Sequence, residues 1–203
     1  LIGITGGTAS GKTSFIRDLG LHFDQSQIVC LSLDHYYYPK QQIKLDENGV
    51  HNFDVPSAIN SSLLLQDMQS LVSGHSVQKL EHNFYKPGEQ PKVLTFNPAR
   101  VIIVEGIFAC YFDQIRKMFD LTVYLHVDEQ IMLARRLHRD LVERGFDNED
   151  VEYRWGRHIL PAYKEFIEPR MGDSDLVIPN NGSYSAALQV LVCYLKENVL
   201  KSH

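Results

Sequence analysis

Residues 6–13, Gly6-Gly7-Thr8-Ala9-Ser10-Gly11-Lys12-Thr13, leave this chain few folds to choose from. They match the spacing G-x-x-x-x-G-K-[ST]. Leu1-Ile2-Gly3-Ile4-Thr5 before them reads as a short buried strand, and Ser14 to Phe23 after them has helical apolar spacing. Glycines let backbone N–H groups come close to phosphate oxygens, and a helix N-terminus adds partial positive charge. Lys12 then reaches the β- and γ-phosphates, and the Thr13 hydroxyl has a place on Mg²⁺. Gly6, Gly7, Thr8, Ala9, Ser10, Gly11, Lys12, Thr13 and Ser14 are therefore expected to cradle a nucleoside triphosphate. The loop does not say how the triphosphate is used. Transfer to a small molecule, hydrolysis in a switch and binding alone all remain open.

At 203 residues with 44% hydrophobic content, one α/β domain with a full core is expected. Twenty basic against twenty-five acidic residues give a net charge of −5, so no overall field attracts nucleic acid or an anionic membrane. No apolar run approaches eighteen residues, and no signal-peptide pattern is visible. Cys30, Cys110 and Cys193 each lie among apolar neighbours and read as buried, reduced thiols of a cytoplasmic protein.

Along the chain, Gln27 to Leu33 reads as a second buried strand ending at Asp34. Ligands of open α/β sheets sit at the carboxyl ends of strands. Asp34, followed by His35-Tyr36-Tyr37-Tyr38-Pro39, is either a base for an acceptor hydroxyl or a turn aspartate. Lys40 to Asn52 reads as a polar flap. Asp54, just before a helix carrying Leu63, Leu64, Met68 and Leu71, is either a cap or a ligand contact. Val77–Leu80 and Val93–Phe96 suggest an irregular hairpin with His82, Phe84 and Tyr85 in its connection. Arg100 to Val104 is a strand ending in Glu105-Gly106, and an acid there can support Mg²⁺. Short helix and strand patterns follow at Tyr111–Met118 and Leu121–Val127, where His126 reads as a satisfied structural histidine.

Asp128 to Arg144 is the most charged helix pattern. Leu133, Leu137 and Leu141 form a stripe expected to face the core, with Arg135, Arg136, Arg139 and Arg144 beside it. The arginines are either a solvated face, pairing Arg136–Asp140 and Arg139–Glu143, or a lid that clamps phosphoryl oxygens. A helix over Glu149 to Ile167 broken near Pro161, a strand at Asp175–Ile178 and a helix over Ser183 to Leu200 complete the alternation. The expected fold class is α/β, a P-loop NTPase three-layer sandwich with a mostly parallel sheet, a β-hairpin insertion and an Arg-bearing helical lid. Residues 1–203 form one domain in this reading, with the hairpin at 75–97 and the lid and following helix at 129–160.

With these residues assembled, the sequence resembles the uridine kinase (uridine–cytidine kinase) family, in the wider group of phosphoribulokinase and pantothenate kinase. The anchors are the phosphate loop, Leu33-Asp34-His35-Tyr36-Tyr37, Asn52-Phe53-Asp54-Val55-Pro56-Ser57-Ala58, Val104-Glu105-Gly106-Ile107, Arg135-Arg136-Leu137-His138-Arg139-Asp140, Glu143-Arg144-Gly145 and Ile178-Pro179. The resemblance implies ATP with Mg²⁺, Asp34 as catalytic base beside Lys12, and Glu105 with Thr13 at the metal. It implies Asp54 and Arg136 on the ribose hydroxyls, Tyr37 and Phe53 beside the nucleoside, and Arg139 and Arg144 as lid arginines near the phosphates. A homo-oligomer, tetramer or dimer, comes with the resemblance.

The departures lie on the base side. An ungapped alignment puts His82 and Pro87 where the family has a Tyr and a base-reading His, with Phe84 between them. Phe146 replaces a family arginine, and Arg154 replaces a glutamine facing the base. The expectation is an ATP-dependent kinase of a pyrimidine nucleoside. The alternatives are a kinase of another sugar-like or pantothenate-like alcohol, or a regulatory ATP-binding protein, although no Asn-Lys-x-Asp guanine motif is present.

Overall fold

The computed structural model describes residues 1–81, 92–142 and 144–200. Strand β1 (Ile2–Thr5) is buried throughout and feeds the phosphate loop. Helix α1 (Lys12–Gly20) starts directly after Gly11, whose φ of 90° suits glycine, and buries Lys12, Phe15 and Leu19. Strand β2 (Ile28–Ser32) ends in a 3₁₀ turn over Leu33–Tyr36. Helix α2 (Ser61–Val72) is capped by Asn60, whose Oδ1 accepts from Leu63 N at 3.1 Å, and buries Leu64, Met68 and Leu71.

Strands β3 (Val77–Leu80) and β4 (Val93–Phe96) pair antiparallel as a separate hairpin. Lys79 Nζ stands 3.1 Å from Asp67 Oδ2, and Tyr36 Oη donates to the same oxygen at 2.9 Å, which ties the hairpin to α2. Strand β5 (Val101–Glu105), the short helix α3 (Asp113–Arg116) and strand β6 (Leu121–His126) follow. Helices α4 (Glu129–Val142) and α5 (Asn148–Arg154) carry the charged segment. Beyond α5 come a wide π-type turn over Trp155–Ile159, the single turn α6 (Leu160–Ala162) and a second wide turn over Tyr163–Ile167. Pro161 lacks the N–H that would continue an i→i−4 ladder, and the helix passes it by widening. Strand β7 (Leu176–Pro179) and helix α7 (Ser185–Leu195) close the fold.

The five long-range strands form one parallel sheet in the order β2-β5-β1-β6-β7. Register pairs Ile4 with Glu105 and Ser32 with Glu105, so the carboxyl ends of β1, β2 and β5 lie side by side. Phe15, Leu19, Leu188, Leu191 and Leu195 of α1 and α7 pack with Ile4, Ile103 and Val123 on one face. Leu64, Met68, Phe108, Tyr163 and Ile167 pack with Leu31, Val104 and Tyr124 on the other. The result is the three-layer α/β sandwich expected from the strand–helix alternation.

Three expectations need correction. In α4 the inward row is Met132, Arg136 and Asp140, with Met132 and Asp140 buried, whereas Leu133 and Leu137 are half-buried and Leu141 is exposed. The carboxylate of Asp140 brings arginines to that face, and an apolar stripe cannot compete for it. Cys193 is exposed on the outer side of α7, while Cys110 is buried and Cys30 half-buried; all three are free thiols. His126 is only partly satisfied. Its Nε2 is 3.5 Å from Asp128 Oδ1, and its Nδ1 is buried without a hydrogen-bond partner among the described residues.

Candidate active site

The phosphate loop bridges β1 and α1 through close backbone packing. A Cβ at Gly6, where φ is 144°, would stand 2.3 Å from the Leu125 carbonyl oxygen, so only glycine fits. Lys12 folds back over the loop and donates to the carbonyls of Gly6 and Gly7 at 2.9 Å each. Burial lowers its pKa to about 8, partly opposed by the charges of Glu105 and Asp34, while Arg139 adds to the lowering. Thr13 is exposed and Ser14 half-buried on the first turn of α1.

At the ends of β2 and β5, two carboxylates flank this ammonium. Ser32 Oγ donates to Glu105 Oε1 at 2.5 Å and accepts from Asp34 N at 3.2 Å. Ser32 is thus the cap of the turn that follows, and the exposed Asp34 carboxylate accepts no hydrogen bond from the described residues. Burial raises the pKa of Glu105, opposed by Lys12 and by the Ser32 hydrogen bond, while Asp34 raises it further. The oxygen donors here, Thr13, Glu105 and Asp34, suit a hard cation such as Mg²⁺ that also draws ligands from phosphates. No cluster of three or more His, Cys, Asp or Glu side chains able to hold a metal alone occurs among the described residues.

Asp54 is half-buried, its backbone N–H donating to Asn52 Oδ1 at 2.9 Å. Burial raises its pKa, and the charges of Arg136, His158 and Arg154 pull it back, with Asp140 adding to the rise. Arg136 Nη1 donates to Thr8 Oγ1 at 2.9 Å, so α4 touches the phosphate loop directly. The Tyr37 and Phe53 rings meet edge to face at 5.9 Å between centroids.

The arginines of α4 and of the loop after it are divided between two tasks. Arg136, Arg139 and Arg144 converge on Asp140, with nitrogen–oxygen distances of 2.9, 3.0 and 3.0 Å. Arg135 turns away and donates to the Asn180 carbonyl at 2.9 Å. Arg154 pairs with Asp150 Oδ2 at 2.8 Å, its guanidinium carbon 6.0 Å from the Phe146 ring centroid. His82, Phe84, Pro87 and Glu143 lie outside the described residues.

Several residues at this site carry no legible sequence signal. Asn180 Nδ2 donates to Ser10 O at 2.9 Å and its backbone N–H to His126 O at 2.7 Å, bracing the phosphate loop from β7. Its place directly after Ile178-Pro179 was the only available cue. Ser32 and Asp140 stood in motifs without a role assigned to them. Asp46 and His158, joined at 2.7 Å beside Asp54, come from segments 112 residues apart.

Comparison with known proteins gives the family. The model of the phosphoribulokinase / uridine kinase family matches residues 1–186. The chain is 31% identical over 196 residues to a uridine kinase of Clostridium perfringens, covering 97% of this chain and 94% of that one. It is 32% identical over 202 residues to a uridine kinase of Clostridium tetani, covering 100% and 97%. Among solved structures, phosphoribulokinase from Rhodobacter spheroides superposes with a TM-score of 0.64 at 14% identity, covering 88% of this chain and 69% of that one.

Proposed function

The chain belongs to the phosphoribulokinase / uridine kinase family, and from that premise we propose that it phosphorylates the 5′-hydroxyl of a pyrimidine nucleoside, uridine or cytidine, with ATP, as in nucleotide salvage. The observation that carries the reading is the placing of Glu105 and Asp34 at neighbouring strand ends, where their charges act on buried Lys12, with Arg136 bonded to Thr8 of the phosphate loop and its charge acting on Asp54. The phosphate loop and Lys12 hold the β- and γ-phosphates. Thr13 and Glu105 are the residues that would hold Mg²⁺, which supplies charge neutralisation on the phosphate oxygens. Asp34 accepts the proton of the attacking hydroxyl as its oxygen bonds to the γ-phosphorus and the bond to ADP breaks. Asp54 and Arg136 hold the ribose hydroxyls, and Tyr37 and Phe53 flank the nucleoside. Arg139 and Arg144, gathered on Asp140, stand ready for the transferring phosphoryl group.

A second reading, a kinase of another small alcohol, is favoured by Arg154. Its guanidinium is tied to Asp150 on the side where a base would be read. The reading extends to cytoplasmic action as a homo-oligomer, dimer or tetramer. No helix among the described residues is long and apolar enough to cross a membrane. The test is ADP release with a panel of nucleosides and small alcohols, against ATP alone. Release that requires uridine or cytidine supports the nucleoside reading. Release with another alcohol selects the second, and none above the ATP background returns the chain to a binding role.

A further inference from the structure

The loop before Asp54 is fastened to α5 and the wide turn after it, chiefly through one carboxylate. Asp46 opens a tight turn closed by Asp46 N to Val50 O at 2.9 Å and Gly49 N to Asp46 O at 3.1 Å. Its Oδ1 accepts from Asn48 N at 2.9 Å and Val50 N at 2.8 Å. Its Oδ2 accepts from Tyr153 Oη at 2.6 Å and lies 2.7 Å from His158 Nε2. Asn48 Nδ2 donates to Tyr153 Oη at 2.8 Å, and Arg157 Nη2 pairs with Glu47 Oε1 at 2.6 Å.

The Tyr153 hydrogen bond, above all, holds Asp46 far below the usual carboxylate range. An ionised Asp46 only accepts, so the proton between the two must sit on His158 Nε2, which fixes the orientation of the ring. The His158 side chain is 2% exposed, on the wide turn where the helix departs from α geometry. Asp46 from the loop, at 2.7 Å, and Tyr153 from α5, at 5.8 Å between ring centroids, pack against it. The charges that act on Asp54 are those of Arg136 and Asp140 of α4, His158, and Arg154 of α5. A buried contact of this kind is a weak device for stability alone, because apolar packing of equal volume does as well or better. Here the loop it holds runs on to Asp54, through Asn52 N to Lys44 O at 3.0 Å and Asp54 N to Asn52 Oδ1 at 2.9 Å.

We propose that His158, oriented by Asp46, is a positioning residue of the acceptor site: it sets the loop that leads to Asp54, so that acceptor capture depends on the imidazole and ATP capture does not. The inference rests on the reading of Asp54 as the partner of an acceptor hydroxyl.

The test uses the full chain with His158→Phe, which keeps a ring, and His158→Gln, which keeps a donor for Asp46. Carbon-detected NMR follows the Asp54 carboxyl titration, assigned with Asp54→Asn, and kinetics follow uridine at saturating Mg²⁺-ATP. In His158→Phe the Asp54 midpoint should move to higher pH. KM for uridine should rise about tenfold while KM for ATP and kcat stay within about twofold. His158→Gln should restore part of the uridine KM. In an Asp54→Asn background, His158→Phe should add no further loss. An unmoved Asp54 midpoint, or equal losses for uridine and ATP, overturns the proposal. If His158→Phe does not fold, the same readings on His158→Gln decide. A parent protein that turns over no nucleoside sinks the acceptor reading, and the Asp54 titration still judges the positioning role.

Discussion

Ser32 Oγ donates to Glu105 Oε1 at 2.5 Å, across the register that sets the two residues side by side on adjacent strands. The serine therefore fixes a half-buried carboxylate at the end of β5, where its charge acts on Lys12. Residues orienting a metal ligand typically matter about 10–100-fold in metal affinity. Ser32→Ala should raise the Mg²⁺ concentration for half-maximal rate by about tenfold, and Glu105→Gln by more. Chelation with EDTA should stop turnover. Rate against Mg²⁺ at fixed ATP checks this, and unchanged Mg²⁺ curves would remove Glu105 from the metal site.

Lys12 links catalysis to stability. Its pKa is lowered by burial to about 8 from 10.5, so the unfolded chain binds more protons between those values. Stability therefore rises as pH climbs through that window, and charged Lys12 is a liability below it. Lys12→Met should abolish turnover. Its Tm relative to the parent should be most favourable near pH 7 and decline toward pH 10.5. A Tm difference independent of pH would contradict the burial argument.

Asp34 is exposed at the end of β2, and its carboxylate is not the cap of the following turn. As the base for an alcohol, it should contribute about 10²–10⁴-fold. Asp34→Asn should lower kcat by that range while ATP affinity, read by calorimetry, stays nearly constant. Collapse of ATP binding would instead mark Asp34 as part of the phosphate or metal site.

The carboxylate of Asp140 is 3% exposed and receives three guanidinium groups. Removing one partner of a buried ionic cluster typically costs about 3–5 kcal/mol, since the remaining charges lose their compensation. In a domain of this size about 1 kcal/mol moves Tm by about 2–4 °C. Asp140→Asn should therefore lower Tm by about 6–20 °C in a thermal scan. A shift under about 2 °C would show that the arginines find other partners.

In the proposed function Asp54 and Arg136 grip hydroxyls by charge-assisted contacts, and such sites discriminate far more strongly than apolar surfaces. In kcat/KM, 2′-deoxyuridine should lose at least 10²-fold against uridine, while cytidine and a purine riboside should lose less. Stricter discrimination at the base than at the sugar would show that Arg154 and its neighbours read the base closely.

The phosphate loop, the strand-end acids and the order of strands and helices were legible because each is a local pattern. A glycine spacing, a run of β-branched residues ending in an acid and a helical apolar period all show within a dozen neighbouring residues. Helix α4 was misread for the complementary reason. Its leucine stripe predicted the inward face, yet Asp140 sits there instead, because Arg136, Arg139 and Arg144 make its burial tolerable. No periodicity encodes that compensation. The Cys193 reading failed in the same way, since apolar neighbours along a helix do not say which side of it faces the sheet.

By itself, then, the sequence determined a parallel α/β sheet with a triphosphate loop at the carboxyl end of its first strand, and the family to which the chain belongs. Local chemistry suffices for this, because steric preference and hydrophobic period act between near neighbours. Only the tertiary structure decided which distant groups share a charge environment. Ser32 meets Glu105 across 73 positions, Arg136 meets Thr8 across 128, and Asn180 meets Ser10 across 170. Electrostatic and hydrogen-bond energies depend on separation in space, and the folded sheet, not the chain, sets that separation.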